Sequence, residues 1–200
     1  IAAHKDSMVV DEQSMEGLPE DYKKEHQRED GTYEIDLSYP SYRPFMKYAR
    51  DEQARKKLME KFLNRAADKN LPVLDAILGG RQELVEKLGF TTFADFQLID
   101  KMAEAPDNVW EFEQEMHEKV LHKAKADYQE LLETKQQYYA DKSIDKVYPW
   151  ENAFLTNILL KESYQVDQEK VKAYFPLNQV IRGLFELSRQ LFEVEFEEIE

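Results

Sequence analysis

Six glycines and seven prolines are all that punctuate 200 residues, and between them the apolar side chains recur three or four positions apart. That spacing follows the helical period, and so few breakers leave few places for helices to stop. The predicted fold class is therefore all-α, an irregular multi-helix array. Its clearest element runs from Asp107 to Asp141, where Val109, Phe112, Met116, Val120, Ala124, Tyr128, Leu131, Leu132 and Tyr139 advance by helical steps behind Pro106. At 1.5 Å per residue such a helix is roughly 50 Å long.

The other expected helices are Glu52 to Ala67, Pro72 to Leu88, a short one opening at Thr92 and reaching Met102, Trp150 to Tyr164, Asp167 to Tyr174, and Leu177 to Phe192. Thr92 with Asp95 has the spacing of a capping box, Gly89 is placed to end the second helix, and Gly79 and Gly80 are candidates to kink it. One segment breaks the pattern. Tyr33, Ile35 and Leu37 alternate with Glu34 and Asp36, which predicts one short strand within residues 32–37. Val194 and Phe196 begin a similar alternation and mark a possible second strand start, with an acidic tail through Glu193, Glu195, Glu197, Glu198 and Glu200 as the other reading. The expected organisation is a polar lead-in over residues 1–31, anchored by Leu18, Pro19 and Tyr22, followed by a helical domain over residues 32–200.

Forty-one acidic side chains oppose 27 basic ones, for a formal charge of -14. Phosphate binding needs a concentrated basic surface, so neither nucleic acid nor an anionic membrane is an expected partner. The longest uncharged runs fall well short of the roughly 20 apolar residues of a spanning helix, and Ile1 to Asp11 lacks the hydrophobic core of a secretion signal. Cysteine is absent, which removes disulfides, thiolate metal sites and thiol nucleophiles from consideration. Cytoplasm is the expected compartment. The chain opens on Ile1 and closes on a strand-like alternation, and it reads as a piece of a longer polypeptide.

Catalytic motifs are missing. His117 and His122 stand beside Glu118 in the long helix, but a shared metal needs histidines four apart; five apart, the side chains diverge by about 140°. The residues three before His26, His117 and His122 are Lys23, Gln114 and Lys119, so the Glu-x-x-His pairs of di-iron bundles are not present. No Gly-x-Ser-x-Gly elbow, P-loop or Gly-x-Gly-x-x-Gly occurs. Tyr39 with Tyr42, Tyr138 with Tyr139, and Trp150 are aromatic enough for a ligand wall, though aromatics at helical spacing are more often core. No residue of this chain is assigned as catalytic, cofactor-binding or metal-ligating.

A resemblance carries the functional expectation further. Gly17-Leu-Pro-Glu-Asp21, the Ser-Tyr-Pro-Ser-Tyr ending at Tyr42, Arg55 to Ala67, the Gly-Gly-Arg-Gln-Glu-Leu and Leu88-Gly-Phe90 within Ile77 to Phe90, and Lys101-Met-Ala103 follow one another in order. Tyr174-Phe-Pro-Leu177, Val180-Ile-Arg-Gly-Leu-Phe185 and Leu191-Phe192 close the series. Together they resemble the region upstream of the catalytic half in thimet oligopeptidase-like zinc metallopeptidases, including the dipeptidyl carboxypeptidase branch. That resemblance implies a two-lobed, mainly helical, channel-forming enzyme in which zinc, held by a His-Glu-x-x-His helix and a further glutamate, hydrolyses short peptides. The motif follows this region in the family, so the zinc ligands are expected outside the chain. The implied partners are short peptides and the C-terminal catalytic part of the same polypeptide. The rival expectation is a non-enzymatic helical module that binds a partner helix or peptide in an apolar groove.

Overall fold

The computed structural model describes residues 5–197. The first four residues lie outside it, as do Glu198 and Glu200 of the acidic tail. Nine α-helices are formed among the described residues: Glu20–His26 (α1), Tyr39–Tyr48 (α2), Glu52–Leu63 (α3), Ala67–Lys87 (α4), Phe93–Leu98 (α5), Pro106–Tyr138 (α6), Asn152–Glu162 (α7), Gln168–Lys172 (α8) and Leu177–Phe192 (α9). Short 3-10 turns sit at Gln13–Met15 and Pro149–Glu151. The fold is mainly α, as the spacing of apolar residues requires.

Local chemistry sets most of the boundaries. Asp51 opens α3 by accepting hydrogen bonds from the backbone N–H groups of Gln53 (2.9 Å) and Ala54 (3.1 Å). Thr92 and Asp95 form the expected reciprocal capping box at α5. Beyond α4, Gly89 takes the left-handed conformation that a helix end commonly uses. One expectation for α4 needs correction. It starts at Ala67, not Pro72; proline's fixed φ suits a helix, and including Pro72 gives up one backbone hydrogen bond, the one to the Asp68 carbonyl. The helix is continuous through Gly79 and Gly80.

The sheet also departs from expectation. Tyr33–Asp36 (β2) lies within the predicted strand, but it pairs antiparallel with a second strand, Ser7–Val10 (β1), with Ser7 opposite Asp36 and Val10 opposite Tyr33. Alternation sends Met8, Tyr33 and Ile35 inward while Val9, Glu34 and Asp36 face solvent. The possible strand at 194–196 does not form. Residues 193–197 have no ladder partner among the described residues, and Phe196 instead stacks on Phe185 at 4.4 Å between ring centroids.

The chain divides into two compact units, residues 1–157 and 158–200. In the first unit the hydrophobic core is drawn from Met8, Met15, Leu18, Tyr22, Tyr33, Ile35, Leu37, Phe45, Met46, Tyr48, Ala49, Ala54, Leu58 and Phe62. Both strands, α1, α2 and α3 are thus knitted together, and the polar first thirty residues supply four core members. In the second unit α9 is the longest helix, and none of its side chains is buried.

Gly17 is the tightest point of the core region. Its φ is +91°, and a Cβ there would lie 2.4 Å from the Tyr48 carbonyl oxygen at the end of α2. Gly17→Ala is expected to cost about 2 kcal/mol or more through backbone strain and that clash. Gly31→Ala provides the control, since its φ is +82° but nothing lies within 4 Å. In urea unfolding followed by circular dichroism, Gly17→Ala should lose measurably more stability than Gly31→Ala; equal losses would show the clash to be absorbed.

Candidate functional site

Polar side chains that bear chemistry fall into three groups in the first unit. The first comes closest to a catalytic arrangement. His26, at the end of α1, has Nε2 2.9 Å from Ser41 Oγ and Nδ1 2.8 Å from the Tyr22 carbonyl oxygen. That carbonyl accepts only, so Nδ1 donates to it, and Nε2 shares a hydrogen bond with the Ser41 hydroxyl. A serine nucleophile would need a carboxylate at Nδ1 and access to substrate. Here Nδ1 is committed to backbone, Asp36 bonds the serine rather than the histidine, and Ser41 is buried. The Tyr22 ring stacks on His26 at 4.0 Å and its hydroxyl donates to the Ser41 carbonyl at 2.7 Å. The group is a knot binding α1 to α2.

Electrostatics agree with that role. Burial first, then the charges of Asp36 and Glu25, push the Tyr22 phenol well above its usual value. Burial also pushes Asp36 up, but hydrogen bonds from Ser38 and Ser41 and the nearby His26 outweigh it, leaving the carboxyl below the ordinary range.

The second group joins distant parts of the chain. Arg55 of α3 is fully buried; its Nε donates to the Trp150 carbonyl at 3.2 Å, and Nη1 donates to those of Ala49 at 2.5 Å and Arg50 at 3.1 Å. Its guanidinium lies 4.1 Å from the centre of the Phe154 ring. Next to Trp150, buried Glu151 accepts from Lys135 Nζ at 2.7 Å and from the Tyr148 backbone N–H at 2.8 Å, and Lys135 also donates to the Lys146 carbonyl at 3.1 Å. Arg55 Nη2 and Glu151 Oε1 are buried without a hydrogen-bond partner among the described residues. Trp150 stacks on Tyr148 at 4.6 Å and donates to Glu52 at 3.1 Å.

The third is a surface groove of about 850 Å³ between the sheet and the start of α2, lined in part by Ser7, Glu34, Asp36, Tyr39 and Arg65. Several of its polar groups are already engaged: Ser7 donates to Glu34, Arg65 donates to the Leu37 carbonyl, and Asp6 is bridged by Lys61 from outside the lining.

The remaining side chains weighed from sequence lie apart from these groups or within them as packing. His117 and His122 are both exposed on α6, and no group of three or more His, Asp or Glu able to hold a metal ion exists among the described residues. The residues present do not fit a zinc site. The aromatic residues do not make one wall: Tyr42 and Tyr39 pack on Phe62, whereas Tyr138 packs on Tyr139 and Phe154. What sequence reading did not single out was the Arg55, Lys135 and Glu151 junction; Arg55 occupies an inward position of α3 beside Leu58, Met59 and Phe62, and a charge there is the one available signal.

Much apolar surface is uncovered. Between Ala67 and Glu133 the one buried described residue is Val85, although α4 and α6 carry Leu71, Leu74, Ile77, Leu78, Trp110 and Phe112. No described helix is long and apolar enough to cross a membrane.

Residues 45–200 match the description of peptidase family M3, and the chain belongs to that family. It is 30% identical over 208 residues to a thimet-like oligopeptidase of Dictyostelium discoideum, covering 100% of this chain and 31% of that protein. Oligopeptidase A of Haemophilus influenzae is 29% identical over 204 residues, with 94% of this chain and 29% of that protein aligned. Saccharolysin of Saccharomyces cerevisiae is 29% identical over 206 residues, with 98% and 29% aligned. The chain spans about three tenths of the length of these curated relatives.

Two outcomes test the polar groups. Lys135→Met alone should cost about 3–5 kcal/mol by stranding the Glu151 carboxylate, and adding Glu151→Leu should restore most of the loss in urea unfolding. Tyr22→Phe should lose about 1 kcal/mol at neutral pH with its hydrogen bond. Above pH 10.0 the unfolded phenol releases its proton while folded Tyr22 keeps it, so stability of the unsubstituted chain falls as pH rises. The decline should be shallower in Tyr22→Phe.

Proposed function

We propose that this chain is a non-catalytic helical portion of an intracellular, zinc-dependent oligopeptidase that hydrolyses short peptides. The observation that carries the reading is membership of peptidase family M3 across residues 45–200, with relatives named as oligopeptidases. In this reading the zinc ligands belong to polypeptide outside these 200 residues, since His117 and His122 do not fit such a site. No catalytic step is assigned to this chain. Its contribution is architectural: residues 32–200 form the helical scaffold of a two-lobed channel enzyme, and residues 1–31 lead into it with core side chains of their own. Short peptides are the substrates, and the catalytic part of the same polypeptide is the structural partner. The acidic balance argues against nucleic acid or an anionic membrane as partner, and the cytoplasm is the proposed compartment.

The test compares two proteins, the gene product that contains this chain and the 200-residue chain alone. The gene product is expected to cleave short fluorogenic peptides, to lose that activity to a chelator, and to regain it with zinc. The isolated chain is expected to show no turnover with or without zinc. Hydrolysis that survives metal removal verified by elemental analysis overturns the zinc assignment, and turnover by the isolated chain overturns the scaffold assignment. A gene product with no peptidase activity would favour a non-enzymatic interaction module.

A further inference from the structure

Helix α9 segregates its side chains more cleanly than any other element of the chain. At 100° per residue, Leu187, Val180, Leu191, Leu184, Leu177, Ile181, Phe192 and Phe185 fall within one arc of about 160°, broken only by Ser188. The opposite arc holds Asn178, Gln179, Arg182, Gly183, Glu186, Arg189 and Gln190. A sixteen-residue helix patterned this way is built to be covered on one side. Yet Leu177 is 71% exposed, Leu184 57% and Leu191 64%, and the stacked Phe185 and Phe196 remain exposed as well.

From this we infer that the apolar face of α9 is a docking surface for an apolar-faced helix from the part of the same family M3 polypeptide that lies outside these 200 residues. The inference rests on the peptidase reading and names the surface through which its two parts join. Length is the first argument: the chain covers 29–31% of its relatives, so most of a protein of their size is available to supply the cover. Size is the second. Half the surface of a helix about 24 Å long and 10–12 Å across is roughly 400 Å². That is about half of the ~800 Å² per partner typical of a stable association between separate molecules. A face this small is held well by a segment on the same polypeptide, whose linkage raises its effective concentration, and poorly by a second copy. A lipid surface fits less well, because the polar arc carries Glu186 beside two arginines and the chain as a whole is strongly acidic.

These 200 residues contain no cysteine, so each introduced thiol is the sole one in the 200-residue chain, and peptide mass assigns the label to its site in the gene product. Single substitutions Val180→Cys, Leu184→Cys and Leu191→Cys on the apolar arc, and Gln179→Cys and Glu186→Cys on the polar arc, are introduced into the gene product and into the 200-residue chain. Circular dichroism verifies folding, and maleimide labelling is read by peptide mass. All five should label at similar rates in the 200-residue chain. In the gene product the three apolar-arc cysteines should label at least about tenfold more slowly, with the two polar-arc cysteines unchanged. Equal labelling in both proteins overturns the inference. So does protection in the 200-residue chain itself, whether concentration-dependent through a second copy, concentration-independent through its own first unit, or dependent on vesicles of phosphatidylcholine and phosphatidylserine. Chelator-sensitive peptide hydrolysis is read separately on the unsubstituted gene product, so a failed docking surface and a failed peptidase assignment give different results.

Discussion

A buried guanidinium holds the first unit together. Arg55 sits among apolar neighbours on α3 and spends Nε and Nη1 on backbone carbonyls at residues 49, 50 and 150. The first two belong to the turn between α2 and α3, and the third lies 95 residues beyond Arg55 itself. A charge taken out of water is costly unless its donors are met, and here Nε and Nη1 of the planar guanidinium meet three carbonyls in a fixed fork while Nη2 has no partner among the described residues. Glu151 extends the junction by receiving Lys135 from the last turns of α6. The core of residues 8–62 is thereby tied to the far end of the longest helix. Hydrophobic burial alone would not fix that register, because apolar contacts are non-directional.

The helices were legible because their signals are local and repeat. Leu177 to Phe192 coincides with α9 in the structure, and the capping pair Thr92 and Asp95 opens α5 as read. The strand within residues 32–37 was legible for the same reason. Its partner was not: Ser7 to Val10 is four residues long and alternates weakly, and only pairing with β2 makes it a strand. Helix α2 was not among the expected helices, and it carries two prolines; Pro40 sits in the opening turn, where no intrahelical N–H is lost, and α2 continues past Pro44. Val194 and Phe196 show the converse failure, an alternation that found no neighbouring strand.

The polar groups were less legible than the fold, since their meaning is set by contacts far apart in the sequence. His26 and Ser41 are fifteen residues apart, and nothing in their spacing announces a hydrogen bond. Their geometry shows why proximity of a serine and a histidine is insufficient for chemistry: the second ring nitrogen is spent on backbone, and the hydroxyl is buried. The histidines that did attract notice, His117 and His122, are exposed on α6 and belong to no metal-holding cluster among the described residues. Family membership adds what these contacts cannot, because it is carried by the order of many segments instead of the placement of a few atoms.

The uncovered helices bear on how such a chain sustains its shape. Along α6 the side chains before Thr134 find support mainly from neighbours on the same helix, such as Lys119 with Glu115, Lys123 with Asp127 and Gln129 with Glu133. Such pairs contribute about 0.2–0.5 kcal/mol each, and Lys123 before Asp127 is the less favourable order relative to the helix dipole. Most helical stability in proteins comes instead from packing an apolar face. Trp110, Phe112, Met116 and Val120 offer such a face without burying it, and α4 does the same on either side of Val85. The Arg55 junction and the core of residues 8–62 therefore define the part of this chain whose packing is complete within it. From Ala67 to Glu133 the apolar side chains other than Val85 stay unburied among the described residues, so packing contributes little to the stability of that stretch within this chain.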